Sequence, residues 1–232
     1  MKKRTLIALL VVIVLPVVSY LFVEKLSKDA VQMPRRYFYD TVVVKTEKGK
    51  QVNDTVWHKV RPFKLTNQLG KEVGIEDFGN KIIIADFFFS SCPTICPTLT
   101  RNMKRLQDAF KKTDTIVRFV SFTVDPARDT VSKIKAYGDR FSIDHDTWWM
   151  LTGSKDEIYD IALNEFKANI ASGGNIDTGF IHTEKFFLLD RDRVVRGWYN
   201  GMDSVNLDRL IKDVVLLSME RDKKKKRNLF RK

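Results

Sequence analysis

Cysteine is nearly absent from this sequence. Its 232 residues hold two, Cys92 and Cys96, and two thiols four apart cannot staple a chain of this length, so a disulfide framework is excluded. Histidine is as scarce: His58, His145 and His182 are the three, which limits any metal site that needs imidazole. Proline occurs six times, at 16, 34, 62, 93, 97 and 126, and the six methionines (1, 33, 103, 150, 202 and 219) are too scattered to form a Met-rich tract. No internal repeat is visible and no low-complexity stretch outside the C-terminal tail, which excludes solenoid and collagen-like architectures. Aromatic residues, by contrast, are plentiful. With 16 Phe, 6 Tyr and 4 Trp in a chain that is 44% hydrophobic, there is enough apolar mass for a packed core and too much for a disordered chain.

Basic residues outnumber acidic ones, but not evenly along the chain. Of the formal charge of +12, residues 1–4 carry +3 and residues 221–232 (RDKKKKRNLFRK) carry +7, which leaves +2 for residues 5–220. A nearly neutral body offers no groove for a polyanion, so nucleic-acid binding is excluded as the main function. The basic tail, 221–232, reads as solvated and disordered, with anionic lipid head groups or an acidic partner as its alternative targets.

Uncharged stretches of membrane length are also few. There is one, LIALLVVIVLPVVSYLFV, residues 6–23. Its length at about 1.5 Å per residue is just sufficient to cross a hydrocarbon core. It lacks the small-x-small site of a cleaved signal peptide, and no cysteine follows it for lipid attachment. The Lys2-Lys3-Arg4 cluster before it predicts a cytoplasmic N-terminus. Residues 1–24 are therefore read as a single-pass anchor in the cytoplasmic membrane, with the rest of the chain on the extracytoplasmic (periplasmic) side. Residues 25–40 read as a stalk and 41–220 as one folded domain.

Within that domain, Thr41–Val44 and Gln51–Lys59 are β-rich around Glu47-Lys48-Gly49-Lys50, which predicts an N-terminal β-hairpin. Phe63 to Gly70 alternates apolar and polar residues and ends in glycine, a second short hairpin. Lys81 to Phe89 is almost continuously apolar, the pattern of a strand buried on both faces. Pro97 to Lys112 has helical spacing, with Leu99, Met103, Leu106 and Phe110 on one stripe. Next come a strand over Ile116–Val124, a helix within Pro126–Phe141, a short strand over Trp148–Leu151 and a helix over Lys155–Phe166. Glu184–Leu189 and Val194–Tyr199 form a hairpin, and a helix over Leu207–Met219 closes the domain. Strands alternating with helices predict an α/β fold, a mixed sheet flanked by helices.

The chemistry is concentrated in FFFSSCPTICP, residues 87–97. A buried strand runs into a short turn, and Pro93 or Pro97 suits the first turn of a helix. Both thiols then lie beside a helix N-terminus, where the dipole and free N–H groups favour thiolate. On a helical turn an i, i+4 pair presents both sulfurs on one face. C-x-x-x-C is one residue longer than the usual redox dithiol. It still permits a disulfide, and it leaves two thiolates able to hold a metal; two unrelated buried thiols are the remaining reading. A metal site needs a third ligand. His58 lies in the early β region, before the α/β core. His145, in Ile143-Asp144-His145-Asp146, is expected to be solvated. His182 comes after a glycine-containing loop at the mouth of a core strand, where it is either a hydrogen-bonded packing residue or a ligand.

Four segments, in order, resemble the Sco family, also called SenC: Cys92-Pro93-Thr94-Ile95-Cys96-Pro97, then SFTVDPARDT (121–130), then Leu151-Thr152-Gly153, then His182 before a strand. The resemblance runs from about Phe63 to Leu217. It implies a thioredoxin-like domain, membrane-anchored, that binds copper and takes part in assembling the CuA centre of cytochrome c oxidase. It implies Cys92, Cys96 and His182 as the copper ligands, with His182 on the loop where thioredoxins carry their cis-proline. A general thioredoxin-type oxidoreductase needs a proline there, and this chain has none. Ser90-Ser91 stand where the family often has a threonine and an aromatic or histidine, a departure that touches the surroundings of the site rather than its ligands.

Two thiolates and an imidazole suit Cu(I); with water or a fourth weak ligand the same set accepts Cu(II), and Zn(II) would yield to copper on the affinity order. Asp125, after the neighbouring strand, is either a charge close to the site or a turn former and helix cap. Three functions are compatible with such a dithiol. One is a copper metallochaperone, supplied by an upstream copper donor or thiol reductant, that delivers copper to or prepares the oxidase subunit carrying the CuA site. Another is a thiol–disulfide reductase acting on that client's cysteines. The third is a thiol peroxidase with Cys92 attacking and Cys96 resolving.

Overall fold

The computed structural model describes residues 3–28, 32–47, 50–113, 115–168 and 183–229. The chain divides into two compact units, Met1–Met33 and Pro34–Lys232. The first contains helix α1 (Lys3–Lys28), with Pro16 inside it. Among the described residues no helix is long and apolar enough to cross a membrane. The described side chains of α1 begin at Val12 and are exposed through Val23, so the apolar run from Leu6 is only partly among them.

The second unit is built on a seven-stranded mixed sheet and a separate two-stranded hairpin. The hairpin, β1 (Tyr39–Glu47) and β2 (Lys50–Trp57), pairs from Tyr39 opposite Trp57 to Glu47 opposite Lys50. Its base is tied to the body: Tyr37 N–H reaches Val195 O at 3.3 Å, and Phe38 stacks on Trp198 at 5.8 Å. A short antiparallel pair comes next, β3 (Leu65–Asn67) and β4 (Glu72–Val73). Its turn needs Gly70, whose φ of 76° lies in the left-handed region.

Among the described residues the strands and α-helices that follow are β5 (Ile82–Phe88), α2 (Cys96–Ala109), β6 (Val117–Thr123), α3 (Val131–Arg140), β7 (Trp148–Thr152), α4 (Lys155–Asp160), β8 (Lys185–Leu189), β9 (Val195–Asn200) and α5 (Ser204–Leu229). The sheet order is β4-β3-β7-β6-β5-β8-β9. β5, β6 and β7 run parallel and are joined through α2 and α3; β3, β8 and β9 pair antiparallel. Parallel neighbours require crossovers of this kind, and the covering helices bury every residue of β5.

The pleat of β5 sorts its side chains between two cores. Ile83, Ala85 and Phe87 join a cluster with Ile158, Ile161 and Phe166, where the rings of Phe87, Phe166 and Phe187 meet edge to face at 5.5–5.9 Å. Ile82, Ile84 and Phe88 join the other cluster, packed by Leu99, Met103 and Leu106 of α2, Ile134 of α3 and Leu210 of α5; Cys92 and Cys96 belong to it. By parity Asp86 stands on that second face, under the thiols.

The sheet, both hairpins and the helical stripe of α2 agree with the sequence reading, and three details do not. Helix α5 continues to Leu229 instead of ending at Met219 before a disordered tail. No glycine or proline interrupts residues 204–229, and lysine and arginine are good helix formers that suit a helix C-terminus; residues 230–232 lie outside the described residues. The helix expected over Lys155–Phe166 is α-helical only to Asp160 and continues as a π-helical stretch, Ile161–Glu165. His145, expected to be solvated, is one-fifth exposed but engaged at both ring nitrogens: Gln68 Nε2 donates to its Nδ1 at 2.8 Å, and its Nε2 faces Asp139 Oδ1 at 2.8 Å.

Candidate functional site

β5 ends at Phe88, and the chain turns through Ser90 to Ile95 before α2 begins at Cys96, with Pro97 in its first turn. Cys92 thus lies in the turn, and the two cysteines do not share a helical face as an i, i+4 pair within α2 would. The turn curls back instead. Cys92 N–H donates to Phe89 O at 3.2 Å, and the Cys92 sulfur faces the backbone N–H groups of Thr94 and Cys96 together with both of their side chains; Thr94 Oγ1 is 3.8 Å away. Both thiols are free and buried, Cys92 being 6% and Cys96 3% exposed.

The two sulfurs are electrically unlike. Burial pushes the Cys92 thiol up, but the surrounding donors outweigh it and leave its pKa below the ordinary thiol value. Cys96 is raised far above the ordinary value. Burial is the main cause, only partly offset by the Phe89 N–H, and the nearby Cys92 and Asp86 charges add to it. Of the two, Cys92 is therefore the first to lose its proton, and its sulfur is placed to accept a hydrogen bond from the Cys96 thiol.

Two carboxylates frame the pair, and both escaped the sequence reading. Asp129 is fully buried. It accepts the Ser90 N–H at 3.0 Å and the hydroxyls of Ser90 and Thr123, and its own carbonyl accepts Thr152 Oγ1 at 2.9 Å. It fixes the turn that leads into Cys92, and its position within Asp125-Pro126-Ala127-Arg128-Asp129 was the available signal. Asp86, also buried, has its pKa pushed up to about 7 by burial, only partly countered by the Ser121 hydroxyl. A single acid in KIIIADFFF was the available signal there.

Asp125 is placed as a turn former. Its N–H donates to Thr123 Oγ1 at 3.1 Å, its carbonyl accepts from Arg128 and Asp129 N–H, and its carboxylate lies 3.7 Å from Arg128 Nε. His58 is held between Asp40 at 2.7 Å and Glu165 at 3.1 Å, at the base of the hairpin. His182 lies outside the described residues; Thr183, the next residue, is 4% exposed and leads into β8. Among the described residues no group of three His, Cys, Asp or Glu side chains is placed to hold a metal. What they do supply is two adjacent sulfur donors, a set that suits a soft, low-coordinate cation.

Comparison with known proteins bears on this arrangement. The SCO1/SenC family pattern matches residues 53–216. The SCO1 protein homolog of Bacillus subtilis (strain 168) is 37% identical over 167 residues, 72% of this chain and 86% of the relative. Among solved structures, BsSco, described as a member of the Sco family of cytochrome c oxidase assembly proteins with a disulfide switch, superposes with a TM-score of 0.60 at 36% identity, over 72% of this chain and 96% of that one. ScoI of Bradyrhizobium japonicum with copper bound superposes with a TM-score of 0.51 at 25% identity, over 65% and 98%.

Proposed function

As the chain belongs to the SCO1/SenC family, we propose that it is a copper-binding protein of cytochrome c oxidase assembly, and that Cys92, Cys96 and His182 carry the metal. The observation that carries the reading is the unlike dithiol at the start of α2. Cys92 has its pKa lowered by surrounding donors and lies next to a second sulfur, in the fold that a copper-bound relative shares. Copper is the cargo here. An incoming Cu(I) meets the Cys92 thiolate, and Cys96 gives up its proton as its sulfur joins, since metal binding competes with protons for thiols. His182 completes the set from the segment before β8. Release is the reverse exchange: thiolates of the client displace first one sulfur and then the other, so that the ion is never free. The client in this reading is the oxidase subunit with the CuA site.

Residues 1–24 anchor the chain in the cytoplasmic membrane in this reading, with the domain on the extracytoplasmic side. The support is the uncharged run 6–23 behind Lys2-Lys3-Arg4.

The same dithiol supports a second role, reduction of the client's cysteines before copper is loaded. The observation favouring it is the division of labour between sulfurs, one with its pKa lowered and one with its pKa raised, which thiol–disulfide exchange also uses. Anaerobic copper titration of the reduced full chain in detergent separates the readings. One copper per chain, lost in Cys92→Ser/Cys96→Ser, is expected of the copper carrier. Copper binding unchanged by that double substitution would remove the dithiol from the metal site.

A further inference from the structure

A cleft of about 780 Å³ opens beside Cys92. It is lined by Ser90, Ser91, Pro93 and Pro97 from the cysteine turn and the start of α2, by Arg101 of α2, and by Arg140, Phe141 and Ser142 at the end of α3. Cys92 lines this cleft and Cys96 does not, so the cleft leads to one of the two sulfurs only. Two of its lining residues are cationic and none is acidic.

The two arginines are held differently, and neither is neutralised. Arg101, on the exposed side of α2, donates to Thr98 Oγ1 at 3.2 Å. Arg140, at the end of α3, lies 5.0 Å over the Tyr137 ring and 5.2 Å over the Phe141 ring. Such stacking fixes a guanidinium while leaving its N–H edge open. The nearby acids are engaged elsewhere: Asp139 with Lys135 and His145, Asp129 with Ser90 and Thr123, Asp125 with Arg128. Among the described residues no carboxylate pairs with Arg101 or Arg140.

We infer that this cleft is a docking trough for an acidic, cysteine-bearing segment of a partner protein, whose carboxylates meet Arg101 and Arg140 while its thiol is brought to Cys92. The inference rests on the reading of Cys92 as an exchanging sulfur and adds the chemistry of the partner. A protein segment is favoured because the trough is a surface feature, larger than one thiol needs, with apolar walls at Pro93, Pro97 and Phe141 for the chain to lie against. Two cations beside a reacting sulfur raise the encounter rate of anionic partners and hold off cationic ones, an effect that weakens with ionic strength.

The test uses the reduced full chain in detergent and two synthetic peptides, each with one cysteine activated as its thionitrobenzoate disulfide, flanked by glutamates in one and lysines in the other. Cys92 thiolate attacks the peptide sulfur, a Cys92–peptide disulfide forms, and thionitrobenzoate leaves as the coloured thiolate. Cys92 is thereby oxidised and the leaving group reduced. Cys96→Ser keeps the reaction at this stage. At low salt the acidic peptide should react at least about 10-fold faster than the basic one, and the ratio should fall towards one in Arg101→Gln/Arg140→Gln and recover in Arg101→Lys/Arg140→Lys. Alkylation by neutral iodoacetamide should be the same in all of them, which separates guidance from sulfur reactivity. Equal rates for the two peptides in the parent chain, or a ratio indifferent to both double substitutions, would overturn the inference. Copper titration of the chain with Cys96 intact is a separate readout. Its failure would count against the proposed function and leave the peptide preference standing.

Discussion

Asp86 and Ser121 face each other across the parallel ladder of β5 and β6. The Ser121 hydroxyl takes a hydrogen bond from Trp148 Nε1 at 2.9 Å and turns its own proton to the Asp86 carboxylate. One oxygen is thereby served, and Asp86 Oδ1 has no partner. A carboxyl group in that position is easier to bury neutral than charged, which is why its pKa rises to about 7.

Stability should therefore depend on Asp86 with a definite sign. Its folded pKa of about 7 lies above the ordinary 3.8, so between these values the folded chain holds the proton more tightly than the unfolded one. The contribution of Asp86 is most favourable below pH 4, declines as pH rises through 4 to 7, and is level above that. Asp86→Asn should remove that decline. The difference between the two chains in urea denaturation should grow from pH 4 to pH 7 in favour of Asn, by up to about 4 kcal/mol for a shift of three units. Parallel pH profiles would show that the carboxylate is paired or hydrated after all.

Asp129 should matter through the turn it fastens. Asp129→Ala strands the Ser90 N–H and the Ser90 and Thr123 hydroxyls that it now accepts. The cost should be about 3 kcal/mol, since unsatisfied buried polar groups lose their full desolvation energy. Ser90→Ala removes a donor and leaves the other contacts, so about 1 kcal/mol is expected. Both are read from denaturation midpoints at constant slope. Equal small effects would mean that the turn is held by something other than Asp129.

These two acids also mark where sequence reasoning stopped. β5 was legible because seven buried residues in a row leave an apolar run that no exposed strand has, and α2 because Leu99, Met103, Leu106 and Phe110 repeat at helical spacing. Asp86 and Asp129 were not, because their roles depend on residues such as Ser121, Ser90 and Thr152, which adjoin them only after the sheet forms. His145 was misread for the same reason: its partner Gln68 is 77 positions away. The dithiol was half legible. A helix N-terminus next to two cysteines was readable, whereas the turn that keeps Cys92 off the helix and gives it the N–H groups of Thr94 and Cys96 was not.

Cys92 should react before Cys96. Its pKa is lowered and it lines the cleft, while the pKa of Cys96 is raised and its sulfur does not reach the cleft. Limiting iodoacetamide on the reduced chain, followed by peptide mass spectrometry, should find carbamidomethyl on Cys92 well before Cys96, and at a pH below that at which an unperturbed thiol reaches the same rate. Comparable labelling of both sulfurs would contradict the asymmetry on which the exchange mechanism depends.

His182 is the residue for which function and packing predict different outcomes. If it served packing alone, His182→Ala would cost something like the ~1 kcal/mol of an ordinary substitution and leave copper binding intact. As a ligand it acts otherwise. The fold should survive, because the substitution takes away one polar ring and no large apolar group. Copper affinity should then drop beyond any change in stability, and unequally between oxidation states. Cu(I) is content with two sulfurs, whereas Cu(II) wants nitrogen and a fuller coordination shell. Cu(II) binding should therefore weaken more than Cu(I) binding, with loss of the parent's visible absorption, while iodoacetamide labelling of Cys92 in the metal-free chain stays unchanged. A folded His182→Ala chain that keeps the parent's Cu(II) affinity and spectrum would take His182 out of the site, and would shift the function of Cys92 and Cys96 from carrying copper towards reducing the client.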